Sequence, residues 1–426
     1  MKKRGIIALA AIMALGLVGC AGKTKESVES GKFTPRLDTE STETLEISGF
    51  MGNFEALDQV MNAFNEIYPN VVFTYDHNTS FMLNEYLANN AGTDIFMTDD
   101  VNIRQGNPDY AVQDNCLDLS KEDIDLSAIR PEAVADCTVD GRLLRLPVAM
   151  NSFGVVVNKT LLEKEELAVP TNYEEFLKVM AALKEKGYTP LQGSEKFLYG
   201  DLMVNMAMNI IAEDEKLVTQ LTSGDKSAAE AVRPVFERLG EIIDNGYTDY
   251  ELNCTYPEDN YDGSIMAFFE GDMPFYVCNT ECVSGMKKRE SKSETYSASP
   301  FEYEFMYAPV GDTGAYAYMQ PWYGFSVNKD SDAKDMAVEF LRFMMTGEQI
   351  KQMAQIKGLP SVTPDGEDER YSAIKNAKNI QQEFINDGSV PDSIRAAFEQ
   401  TCNDFGAGMY ENAAEAADAF VKQCAQ

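Results

Sequence analysis

The chain has 426 residues, 44% of them hydrophobic, which is more than one compact apolar core usually serves, so two lobes are expected. A formal charge of −33 repels polyanions, which excludes nucleic acid as a partner and removes any attraction to an anionic membrane surface. The single histidine, His77, excludes triads and metal clusters that need two histidines; it follows a strand-like run, where a surface or structural role is expected.

Lys2, Lys3 and Arg4 form a basic start, and Gly5 to Gly19 is an uncharged apolar run. That run is too short for a transmembrane helix and fits the hydrophobic part of a signal segment. It ends Leu17-Val18-Gly19-Cys20, with small residues before a cysteine whose thiol is a natural lipid acceptor. The pattern resembles a bacterial lipobox. It implies residues 1–19 as a signal peptide and Cys20 as the lipidation site. Residues 20–44 are rich in Lys, Glu, Ser, Thr and Gly, with only Val28, Phe33 and Leu37 as scattered apolar groups, and are expected to be a flexible tether. Its r.m.s. reach is roughly 25–30 Å. The expected location is extracytoplasmic, held by lipid to the outer face of the cytoplasmic membrane, which is the only membrane contact foreseen. Nicotinamide and ATP are not expected there. Neither a P-loop nor a dinucleotide-binding glycine motif occurs, and no cofactor or metal is foreseen.

Leu45 to Gly49 reads as a strand ending in glycine. Asn53 is placed to cap a helix from Phe54, with Leu57, Val60, Met61, Phe64 and Ile67 on one face and Pro69 as its stop. Val71 to Tyr75 is the next strand, which makes a βαβ unit and a parallel sheet. Asp94 to Thr98 is a short buried strand running into Asp99 and Asp100, and Ser152 to Val157 is another apolar run. Thr171 and Glu174 are spaced as a capping box for a helix that Gly187 ends. Ala333 to Met345 reads as a helix with Gly347 as its stop, and the chain after Glu367 reads as mostly helical. Besides Cys20 there are seven cysteines: Cys116, Cys137, Cys254, Cys278, Cys282, Cys402 and Cys424. An odd number cannot all pair internally, and most are read as small buried groups or thiols, with one disulfide left open. The predicted class is α/β with open, mostly parallel sheets and flanking helices. In such sheets ligands sit beyond the carboxyl ends of strands, which singles out residues 49–53 and 98–100.

Five segments in order carry a resemblance. They are Gly92-Thr93-Asp94-Ile95-Phe96; Asp140-Gly141-Arg142-Leu143-Leu144-Arg145-Leu146-Pro147 followed by Asn151 to Lys159; Phe268 to Phe275; Trp322 to Val327; and Ala337 to Leu341. Together they are similar to family 1 of the bacterial extracellular solute-binding proteins, the carbohydrate-binding lipoproteins of ABC importers that include the maltose-binding type. The resemblance implies a monomer with a two-lobed periplasmic-binding-protein-like fold and no catalytic activity. It implies three crossings between lobes, near residues 149–151, 319–325 and 358–363. Lobe 1 would hold residues 45–149 plus 325–358, and lobe 2 residues 151–320 plus 362–426. The ligand would sit in the cleft, hinge closure would trap it, and the permease subunits of the importer would receive it.

Sugar hydroxyls suit carboxylates and amides, while the C–H faces of the rings suit aromatic groups. The candidate ligand-binding residues are therefore Phe50, Asn53, Asp99, Asp100, Asn151, Ser152, Tyr199, Asn279, Thr280, Glu281, Trp322 and Tyr323. Asp99 and Asp100 lead as acceptors, although adjacent strand side chains point opposite ways, so only one is expected to face the cleft. Trp322, the sole tryptophan, is the expected stacking platform. Glu281 stands where the resemblance leads one to expect an aromatic residue. A binding protein for a non-sugar solute and a secreted glycoside hydrolase remain as alternatives.

Overall fold

Two strands of thirteen residues each organise the molecule. The computed structural model describes residues 33–49, 55–77, 93–99, 112–256, 261–364 and 379–425. Strand β6 (Leu146–Asn158) is buried along its whole length, and β10 (Ala315–Val327) lies antiparallel beside it. Both run through the molecule, so each takes part in two groups of strands.

At one end, β10 pairs with β3 (Ile95–Asp99), which adjoins β1 (Thr44–Ser48) and then β2 (Val72–Asp76). Helix α1 (Glu55–Asn65) connects β1 to β2 and buries Ala56, Leu57, Val60 and Phe64, so the βαβ reading of the sequence holds. Helices α7 (Lys334–Met344) and α8 (Gly347–Lys357) close the same apolar cluster, with Phe64 edge-on to Phe340 at 5.3 Å. Gly347 opens α8 and does not follow a free helix end as the spacing suggested; the break falls at Met345 and Thr346.

At the other end, β6 pairs with β8 (Phe275–Asn279) and β9 (Tyr303–Met306), β8 pairs with the short β7 (Leu191–Gln192), and β10 pairs with β11 (Ile380–Ile385). A second apolar cluster lies on one face, made by α3 (Tyr173–Glu185), α4 (Leu198–Ala212), α5 (Ala228–Asp244), α9 (Asp392–Gly406) and α10 (Ala413–Cys424). A third, built on Val156, Phe268, Tyr276 and Phe305, covers the other face near α6 (Thr280–Glu290). The hairpin strands β4 (Thr138–Val139) and β5 (Arg142–Leu143) and helix α2 (Pro131–Asp136) lead into β6.

Four expectations need correction. The sheet is mixed, because the two through-going strands run against each other and against β3, β8 and β9; only β1–β2, β1–β3, β7–β8 and β10–β11 are parallel. The segment after Glu367 contains β11, whose alternating burial was masked by its polar residues. The cap of α3 lies one residue later than Thr171: Asn172 Oδ1 accepts from the Glu175 amide at 3.0 Å, and Glu175 Oε2 accepts from the Thr171 amide at 2.9 Å. Residues 33–43 do not read as free tether, because Phe33 packs edge-on against Phe343 at 5.2 Å and the Arg36 amide donates to Glu339 at 2.8 Å. Two apolar side chains and one buried acceptor were enough to dock them. No disulfide joins the seven described cysteines, and five of these are buried.

Candidate functional site

Polar groups converge where β6 and β10 pass each other. The strands are kept close there by backbone geometry. A Cβ on Gly324 would lie 2.2 Å from the Leu146 carbonyl oxygen, so only glycine fits, and the pairing slips on either side of Tyr323 beside Pro321. The buried Arg145 lies under this point. It donates to the Thr98 and Trp322 carbonyls at 3.5 Å and pairs with Asp136 at 3.3 Å, while Asp136 accepts from Asn386 at 3.2 Å. One guanidinium thus ties the backbone just before Asp99 to that of Trp322.

The carboxyl ends of β1, β2 and β3 arrive on one side. Gly49 leaves room for the Tyr75 hydroxyl, which a Cβ would meet at 2.5 Å, and the backbone of Asp99 is paired opposite Tyr323. On the other side, β8 ends directly in α6. Asn279 caps that helix by accepting from the Cys282 amide at 3.1 Å and donates to the Tyr261 hydroxyl at 3.0 Å. Lys288 of α6 forms a 3.2 Å ion pair with Glu55 of α1, spanning the two sides.

The structure sorts the sequence candidates. Phe50, Asn53 and Asp100 lie outside the described residues. Asn151, Ser152 and Thr280 bond to one another and to the strands: Thr280 donates to Asn151 Oδ1 at 2.8 Å, and the Ser152 hydroxyl donates to the Tyr318 carbonyl at 2.6 Å. Their visible role is to lock the crossing. Tyr199 is 1% exposed and wedged against Gly406, so it belongs to the second core and not to an open surface. Trp322 is partly buried and edge-on to Tyr323, with ring centroids 5.0 Å apart. Glu281 lies in the first turn of the helix that Asn279 caps, and its charge reaches the Tyr323 phenol. Burial raises the Tyr323 phenol well above its usual range, with the nearby Tyr75 and Glu281 adding to it. Burial also raises the Glu281 carboxyl to about 7, opposed by the Lys357 ammonium.

Sequence reasoning missed Asp201, Tyr261 and Lys357. Tyr261 has φ +59°, a left-handed backbone that is uncommon outside glycine. Asp201 offered a usable signal. Helix α4 is apolar almost throughout, yet Asp201, Asn205 and Asn209 recur every fourth residue and so share one buried face. Asn205 donates to the Phe153 carbonyl and Asn209 to the Ala317 carbonyl, each at 2.8 Å, stitching α4 onto β6 and β10. Burial, then the Glu399 charge, raises the Asp201 carboxyl, with Arg395 acting against them. Among the described residues no group of three His, Cys, Asp or Glu side chains is placed to hold a metal ion, and no helix is long and apolar enough to cross a membrane.

Comparison with known proteins gives a consistent result. The family described as "Bacterial extracellular solute-binding protein" matches residues 59–381. No curated protein matches the chain in sequence. RafE from Streptococcus pneumoniae, in its apo form, superposes with a TM-score of 0.67 at 14% identity, over 91% of this chain and 99% of that one. A sugar transporter protein of Bacillus licheniformis, determined in complex with stachyose, gives 0.62 at 17% identity over 89% and 98%. The GacH receptor of Streptomyces glaucescens, determined without ligand and with acarbose, gives 0.65 at 16% identity over 90% and 97%. At these identities the likeness establishes the fold.

Proposed function

Because the chain belongs to the bacterial extracellular solute-binding proteins, which are non-catalytic components of transport, we propose that it captures a mono- or oligosaccharide and hands it to the permease subunits of an ABC importer. The observation that carries this reading is the crossing itself, where two strands that each enter separate apolar cores pass one another and Trp322 lies edge-on to Tyr323. Such a crossing is a natural hinge, since few backbone segments need to bend for the two cores to swing together. Residues 45–149 with 325–358 form one lobe in this reading. Residues 151–320 with 362–426 form the other. The third crossing is at residues 358–363, where the Met150 amide donates to the Pro360 carbonyl at 2.9 Å.

The ligand class draws support from the structural neighbours. RafE has been determined with raffinose, and the Bacillus licheniformis and Streptomyces glaucescens proteins with stachyose and acarbose. An aromatic platform beside amide and carboxyl groups fits the C–H faces and hydroxyl edges of a sugar ring. The lipobox-like Leu17-Val18-Gly19-Cys20 supports a lipid-anchored, extracytoplasmic protein.

A thermal-shift panel of mono- and oligosaccharides tests the reading. A ligand present at a hundred times its Kd stabilises the protein by about 2.7 kcal/mol. A saccharide-dependent rise in Tm without turnover of the sugar is the expected outcome. A panel that leaves Tm unchanged up to millimolar concentrations, while a non-sugar solute raises it, would overturn the saccharide assignment.

A further inference from the structure

Helix α6 is fastened near both ends. At its start, Thr280 donates to Asn151 Oδ1 at 2.8 Å, and its Oγ1 accepts from the Ser152 amide at 3.1 Å, so the helix begins pinned to the crossing. The cap that Asn279 makes on the Cys282 amide, at 3.1 Å, sets its direction. In its last turn, Lys288 reaches Glu55 in the first turn of α1 at 3.2 Å, across 233 positions of chain. At 1.5 Å of rise per residue, that ion pair stands about 12 Å along the helix from the pin. Each charge also suits the dipole of its own helix, an acid at the start of α1 and a base at the end of α6, so both stay in place whether or not they meet. The Glu55 carboxyl is held below its usual range first by its own backbone amide, against the effect of burial, and then by Lys288 and Lys357, so it is ionised at neutral pH.

We propose that Glu55 and Lys288 form a latch between the lobes: the pair closes when the lobes close over a captured solute, breaks when they open, and slows release without touching the solute. This rests on the two-lobe hinge reading above. A rigid rotation of about 15° around the crossing carries a point about 12 Å away through about 3 Å. Added to the 3.2 Å of the closed pair, that takes the two charges out of contact. The bonds of the pin lie at the crossing itself and hardly move in the same rotation.

Both side chains are largely in solvent, so the attraction is modest and sensitive to salt. A pair of this kind biases the lobes toward the closed form by about twofold to fivefold. A bias of that size delays escape of the solute and still lets the lobes part.

Distances between two spin labels on the full chain, measured by double electron–electron resonance, test this. The labels go on the exposed positions Val72→Cys and Val169→Cys, one in each lobe, with Cys254→Ser and Cys424→Ser removing the described thiols that are not buried. The parent is compared with Glu55→Gln, Lys288→Gln and the double variant, at low salt and at roughly 0.5 M salt, where the screening length is only a few ångströms. Each single variant should raise the ratio of long to short distances by about twofold to fivefold at low salt. The double variant should add nothing further, and high salt should move the parent to the level of the variants. Unchanged ratios in both single variants, a change in only one of them, or additive effects in the double variant would each overturn the latch. Raffinose, stachyose and acarbose are then added in turn. If one of them shortens the distance equally in all four proteins, the latch is overturned and the hinge reading stands. A distance that no variant, salt or saccharide alters overturns both.

Discussion

Replacing Glu281 by Gln should stabilise the ligand-free protein at alkaline pH and leave its stability unchanged in acid. Glutamine keeps the shape and removes the charge. The Glu281 carboxyl titrates at about 7 in the folded chain against an ordinary 4.5, a rise caused first by burial and resisted by Lys357. Between these values the native state keeps a proton that the unfolded state has lost, so wild-type stability falls as pH rises through that window. Each unit is worth 1.36 kcal/mol, which sets a ceiling of about 3 kcal/mol, and partial solvent screening brings the expected gain to about 2 kcal/mol above pH 7.5. For a body of this size that is roughly 2–3 °C in Tm. Melting curves of the two proteins should coincide near pH 4.5 and separate progressively to pH 8, with the variant higher. A constant offset across that range, or a variant that melts lower at pH 8, would refute the account of Glu281 as a buried, uncompensated acid.

Three further outcomes are expected. Trp322→Ala should weaken saccharide binding at least tenfold, about 1.4 kcal/mol, with the fold intact; unchanged affinity in titration calorimetry would remove Trp322 from the site. Gly406→Ala should lower stability by about 1–3 kcal/mol, because its Cβ would sit 2.2 Å from the ring of the buried Tyr199, outweighing the better helix propensity of alanine; urea unfolding measures it. In native protein a thiol reagent should modify exposed Cys254 first and partly exposed Cys424 more slowly, while Cys116, Cys137, Cys278, Cys282 and Cys402 react only on unfolding. Mass spectrometry of the labelled peptides checks the order.

Local periodicity made much of the fold legible. The strand–helix–strand from Thr44 to Asp76 is readable because α1 repeats apolar groups every three to four residues between two β-branched runs. The same rule failed for β11, where Gln382 and Glu383 give no apolar alternation yet the backbone pairs with Ala317 and its neighbours. At the site, Glu281, Asn279, Trp322 and Tyr323 were named from the chain; Trp322 lies edge-on to Tyr323, and Asn279 caps the helix that carries Glu281. Ser152 was named for its place at a crossing and Tyr199 for its aromatic ring; the Ser152 hydroxyl bonds to the Tyr318 carbonyl, and Tyr199 is buried against Gly406. Residue type does not tell which way a side chain points.

The sequence alone set the chemistry available: the acidic balance, the lipobox-like cysteine, the single tryptophan and the order of alternating strands and helices, all of which are local or additive properties. Tertiary structure alone decided which charges meet. Asp201 and Glu281 are 80 positions apart, and the Glu281 charge reaches the buried Asp201 only because α4 and α6 are packed against the same strands. Burial and pairing depend on distance in space, and no periodicity along the chain encodes that distance.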